Sequence, residues 1–286
     1  MKKQQFILAS VGILLLIILY FFGQTIPPAK KSSMPVGENQ SDSVRSINIQ
    51  EILQASKSKL KPDQISYVNR LENSVVRGDV KEQQLKAYRQ LSSFWKDSVS
   101  NGFLPFAYYI SQIAKLENSE KNLTFAAQLF LENLRIIDDK ALKSWMANQA
   151  KGLFEKALQI NPDNDSSKIG LGACYIFGSD ASNPQEVMQG IQKILEVARR
   201  DTTNMYAQFM LGLGGAVSGQ LDKAVERLKK VVQHQPDNLE AMMKLAEINE
   251  QLGNKEEAVK WYGESKKLIA DPEVIKEINL RIKSLQ

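Results

Sequence analysis

Three asparagines fix the frame into which much of this chain must fit. Asn164, Asn204 and Asn238 each stand just before a run of apolar residues at helical spacing, at intervals of 40 and 34 residues. Asparagine is among the best helix N-caps, because its side-chain oxygen accepts an orphan backbone N–H of the first turn. Pro162 and Pro236 come just before two of these caps. A proline there stops the previous helix, since it has no N–H and its ring clashes with the preceding turn. A helix-turn-helix unit recurring every 34 residues confines the region to a stacked helical array.

The rest of the body also reads as helix. From about residue 47 onward there is no hairpin signal and no β-branched alternation. Pro62 opens a segment with Ile65, Val68, Leu71 and Val75 at helical spacing, and Gly78 closes it. Further helices are expected near 80–98, 120–137 and 139–160. Asn101-Gly102 stops the first of these, and Pro105 suits the first turn of the helix after it.

Within the array, residues 205–238 carry Leu211-Gly212, Ala224, Leu228 and Pro236. Residues 239–272 carry Leu245-Ala246, Gly253, Ala258 and Tyr262, and the unit from about 165 carries Leu171-Gly172 and Tyr175. On these residues the segment 165–272 resembles the tetratricopeptide repeat family. The resemblance implies an all-α fold, a right-handed superhelical solenoid. It also implies that Gly172, Gly212, Ala224 and Ala258 are the small residues needed where helices cross closely. Ala150, Phe154, Ala157 and Pro162 look like the second helix of one more repeat. Ile113-Ala114, Ala126 and Phe130 fit a weaker copy at 107–140, and the two assignments compete for 131–137. The unit from 165 is six residues too long, with the surplus in "FGSDASNPQE", 177–186. Residues 272–285 place Ile275, Ile278, Ile282 and Leu285 on one face, as a terminal capping helix would.

The amino-terminal segment is of another kind. Residues 6–23, "FILASVGILLLIILYFFG", contain no charge. As a helix they would be about 27 Å long, against a bilayer core of about 30 Å. The apolar part of a cleaved signal peptide is shorter and ends at a small-x-small site, which "FFGQTIPPAK" does not offer. Residues 1–23 are therefore expected to be an uncleaved single transmembrane anchor of a membrane-anchored bacterial type. Lys2 and Lys3 favour a cytoplasmic N-terminus and a periplasmic body at the inner membrane. Residues 24–46, rich in Pro and Ser, read as a flexible linker. Residues 47–138 are expected to form a degenerate N-terminal helical region, and 139–286 the repeat array with its cap.

The net charge of +5 does not point to nucleic acid, because basic and acidic residues alternate, as in Lys244, Glu247, Glu250 and Lys255. Cys174, the single cysteine, cannot form an intramolecular disulfide and reads as core. His234, the single histidine, falls in the last turn of a helix with no second ligand spaced for a metal. The glycines of "LGLGGAVSG", 211–219, lie inside a repeat helix, whereas a dinucleotide motif must follow a strand. "DNDSSKIG" begins like a calcium loop but has Lys168 and Cys174 where glycine and glutamate are needed. No catalytic constellation, cofactor or metal site is expected.

By the same resemblance, a concave groove lined by the first helix of each repeat would take a protein partner as an amphipathic helix or peptide. Its residues are Ile169, Ala173, Ile176 and Phe177, then Tyr206, Phe209, Leu213, Ala216 and Val217, then Glu240, Met243, Glu247, Glu250 and Gln251. The groove is apolar in the middle and acidic toward the C-terminal end. The chain's own residues 47–117 are a rival occupant. The expected function is a membrane-tethered scaffold. Its layout is similar to periplasmic assembly factors such as those of cytochrome c maturation. A nutrient- or glycan-binding surface protein is the alternative, weakened by the absence of a lipidation cysteine.

Overall fold

The computed structural model describes residues 47–77, 80–100, 102–178 and 183–286. The expected anchor and linker lie outside them. Among the described residues there are thirteen helices and no strand, and no helix is long and apolar enough to cross a membrane. They are α1 (Ile49–Lys57), α2 (Pro62–Arg77), α3 (Lys81–Asp97), α4 (Phe103–Glu117), α5 (Glu120–Leu134), α6 (Lys140–Ile160), α7 (Asp165–Gly178), α8 (Pro184–Arg200), α9 (Met205–Val217), α10 (Leu221–His234), α11 (Leu239–Gln251), α12 (Lys255–Lys266) and α13 (Pro272–Leu285). From α3 they pair as consecutive hairpins, α3 with α4 through α11 with α12, and each hairpin packs on the next to form a helical-repeat solenoid.

The three asparagines start α7, α9 and α11. Each Oδ1 accepts the backbone N–H three residues on, at 2.7 Å from Ser167, 3.0 Å from Ala207 and 3.0 Å from Ala241. The turns inside the last two hairpins are equally regular. Gly219 and Gly253 have φ of 74° and 77°, a left-handed conformation that costs a side chain about 1 kcal/mol or more. In each turn the next N–H reaches back five residues, Gln220 to Gly215 and Asn254 to Asn249, both at 2.8 Å. These are Schellman turns, which satisfy carbonyls left open at the helix end.

The hairpins close on small residues. A Cβ on Gly172 would stand 2.7 Å from the Gly190 carbonyl oxygen and 2.6 Å from Ile194, so α7 and α8 approach backbone to backbone. On Gly212 it would stand 2.7 Å from Leu228. Ala224 and Ala258 are fully buried.

The register near 131–137 is settled by Ser119 and Asp139. Their side chains cap α5 and α6 by accepting from Asn122 and Leu142, and α5 and α6 form one of the strongest hairpins. The copy expected at 107–140 is therefore not a repeat hairpin. Ala126 and Phe130 belong to the first helix of the α5–α6 unit, where Phe130 meets Trp145 edge to face at 5.8 Å between centroids. The main buried cluster runs unbroken from Ala107 to Ile248, across residue 138. A second cluster, including Leu53, Leu71, Leu91 and Trp95, holds α1–α4 together. There the Glu72 carboxylate accepts from Lys57 Nζ and the Tyr109 hydroxyl, each at 2.8 Å. A third, smaller cluster joins α11, α12 and α13 through Ala246, Ala258, Tyr262, Ile278 and Leu285. Ile278 and Leu285 thus turn the apolar face of the cap onto the last hairpin.

Candidate functional site

The first helices of the successive hairpins, α5, α7, α9 and α11, touch one another in order, and the expected groove residues divide along the last three. In the middle most of them are buried, and only the end of α9 is open, where Ala216 is half-buried and Val217 is 50% exposed. Ile169 and Ile176 are each 1% exposed, Ala173 0%, Phe209 7% and Leu213 4%, while Phe177 and Tyr206 are half-buried. The reason is the close approach of successive first helices. A Cβ on Gly214 of α9 would stand 2.9 Å from Ile176 Cδ1 of α7, so no room remains between them.

The middle is not filled by 47–117. Helices α1–α4 pack on one another and on α5, not to any extent on α7, α9 or α11. It is α5 that reaches across. Thr124 meets Ser167 on α7 at 2.7 Å, the Tyr206 hydroxyl comes within 3.5 Å of Gln128, and Arg135 pairs with Glu240 at the start of α11.

At the C-terminal end the same repeat positions stay open. Met243, Glu247, Glu250 and Gln251 form one wall of a cleft of about 660 Å³. Tyr262 of α12 and Val274, Glu277, Ile278 and Arg281 of α13 form the other. Glu250 holds the two walls together: its Oε2 accepts from the Tyr262 hydroxyl at 3.1 Å and from Arg281 Nε at 2.9 Å. Burial, then the hydrogen bond to Glu250 and that carboxylate's charge, push the Tyr262 phenol up to about 12. Glu247 pairs with Lys244 at 2.5 Å, one turn away on its own helix. Reading only first-helix positions misses the second wall, although the apolar face of 272–285 signals that a helix must close the array there.

A further cleft of about 860 Å³ lies between α2 and α3, lined by Tyr67, Glu82, Lys86, Arg89, Phe94 and Asp97 among others. Its charges balance, and Arg89 is engaged by Glu117 at 2.7 Å. His234 is exposed at the end of α10, with Nδ1 2.9 Å from the Lys230 carbonyl oxygen. Cys174 is fully buried, and burial pushes its thiol up to about 12. No group of metal-ligating residues is found among the described residues.

Residues 218–274 match the sequence profile of the tetratricopeptide repeat. Over 187 residues the chain is 27% identical to the BBSome complex member BBS4 of Bos taurus, covering 63% of this chain and 34% of that protein's length. The crystal structure of TTC0263, a thermophilic tetratricopeptide-repeat protein of Thermus thermophilus, superposes with a TM-score of 0.51 at 16% identity, over 72% of this chain and 98% of that one. The two share a fold. A MamA structure from Desulfovibrio magneticus RS-1 gives a TM-score of 0.45 at 20% identity, over 67% and 96% of the two chains.

Proposed function

We propose that this chain, built of tetratricopeptide repeats, is a non-catalytic scaffold of the cell envelope. Residues 6–23 anchor it in the membrane, residues 24–46 tether it, and the helical body holds a protein partner on the periplasmic side. One observation carries the partner reading. At the repeat positions that would face a ligand, the middle of the array is mostly packed shut, and the far end keeps an open cleft with Met243 and Val274 in its walls and carboxylates around them. Its volume of about 660 Å³ is of the size that receives a ligand segment, and an apolar centre with a polar rim is the make-up of a protein-binding patch.

Crosslinking in intact membranes tests it. A photo-crosslinker at Gln251 should capture a discrete partner, and Met243→Glu should abolish the product while lowering the melting temperature by no more than a few degrees. Identical products from both proteins would remove the cleft from consideration. For the anchor, protease added to spheroplasts should digest residues 47–286, and mass spectrometry should find the N-terminus intact. A protected body or a mature chain beginning beyond residue 23 would contradict the topology.

A further inference from the structure

The cleft between α11, α12 and α13 also specifies the charge of what enters it. Its walls carry three carboxylates, Glu247, Glu250 and Glu277, against one guanidinium, Arg281. Arg281 is spent on Glu250, which also accepts from Tyr262, so that pair is structural. Glu277 is exposed and has no ion pair among the described residues. Glu247 has only Lys244, which stands on its own helix and outside the cleft lining. Two carboxylates thus remain to face a ligand, one on each wall. Between them lie Met243 and Val274, which offer apolar contact, with Ile278 buried beneath them. The local sign is opposite to the net charge of the whole chain, +5. An acidic segment is repelled from this opening, while a basic one is drawn to it.

Resting on the partner reading above, we infer that the occupant is a basic amphipathic segment of another protein. An aliphatic side chain seats against Met243 and Val274, and Lys or Arg side chains on either side of it pair with Glu247 and Glu277. Lysine suits both walls, since its stem can lie on the apolar surface while its ammonium reaches a carboxylate.

Two labelled peptides with leucines at the same helical spacing test this on the full chain, one with lysine and one with glutamate at the polar positions. The lysine peptide should bind, more weakly as salt rises, and the glutamate peptide should not. The double variant Glu247→Lys, Glu277→Lys should weaken the lysine peptide by about tenfold or more without moving the melting temperature. Equal binding of both peptides, or no effect of the double variant in a folded protein, would overturn the inference. So would a dimer that the double variant converts to monomer, since the occupant would then be a second copy. The membrane experiment keeps the two readings apart: if Met243→Glu loses the crosslinked partner and the double charge reversal does not, the cleft stands and the basic segment falls. If neither variant changes the products, the cleft itself is wrong.

Discussion

Phe209 and Met243 occupy the same place in consecutive repeats, 34 residues apart, and meet opposite surroundings. Phe209 is 7% exposed between close-packed first helices, while Met243 stands in the wall of a cleft. Leu213 and Glu247, also 34 apart, repeat the contrast. A repeat position therefore sets which face of the array a side chain occupies. Whether that face is open depends on how closely the neighbouring first helices approach. In the middle Gly214 lets α9 lie on α7, and α5 covers the seam. Past α12 stands the single helix α13, and a cleft of about 660 Å³ stays open between it and α11.

The largest expected effect breaks the comparison directly. Phe209→Glu buries a charge among Ile176, Leu213 and their neighbours and should cost about 4 kcal/mol or more, which lowers the melting temperature by roughly 10 °C in a body of this size. Met243→Glu, at a half-buried residue beside the third cluster, should cost less, about 1–2 kcal/mol. Equal losses, measured by thermal unfolding, would mean that the end is as closed as the middle. Next come Ala224→Trp and Ala258→Trp, fully buried residues at equivalent places. Overpacking costs about 1–3 kcal/mol at each. Hydrogen exchange should show the first loosening both flanking hairpins and the second only the region from α11 onward.

A smaller effect is tied to Tyr262. Its phenol holds the proton more tightly when folded, up to about 12 against an ordinary value near 10. Its contribution is therefore complete below pH 10 and is lost as the pH rises toward 12. The melting temperature of the native chain should fall relative to Tyr262→Phe across that window; a constant gap would show that the Tyr262–Glu250 bond does not hold the cleft walls together. The smallest effect is expected from His234→Ala, within about 0.5 kcal/mol and with partner crosslinking unchanged.

The legible part of the fold was the local part. An N-cap is a contact over three residues, and Asn164, Asn204 and Asn238 declare it in the sequence. The close crossings could likewise be read from Gly172, Gly212, Ala224 and Ala258, because only small residues fit them. The Schellman turns had a signal too, glycines at 219 and 253 with the repeat's spacing, masked by the other glycines of 211–219. The pairing of α5 with α6 was harder, since the apolar pattern continues through Ile136 and Ile137 and only the caps Ser119 and Asp139 mark the breaks. The closed groove was not legible at all. It depends on the summed curvature of several hairpins, which brings Arg135 to Glu240 across 105 residues. The second wall of the cleft was half legible: the amphipathic cap was plain, but nothing local says that Tyr262 and Arg281 converge on Glu250.

The small cluster that carries α13 has a dynamic consequence. Five buried residues, Ala246, Ala258, Tyr262, Ile278 and Leu285, hold the last elements apart from the long central cluster. In a linear array each unit leans only on its neighbours, so a unit held by a small cluster opens before one held by a large cluster. The cleft is built on a segment whose amides should exchange with solvent earlier than those of the central cluster. A ligand seated between α11 and α13 would act as a clasp on that lightly held helix, and occupancy would be read most directly as slowed exchange along Pro272–Leu285.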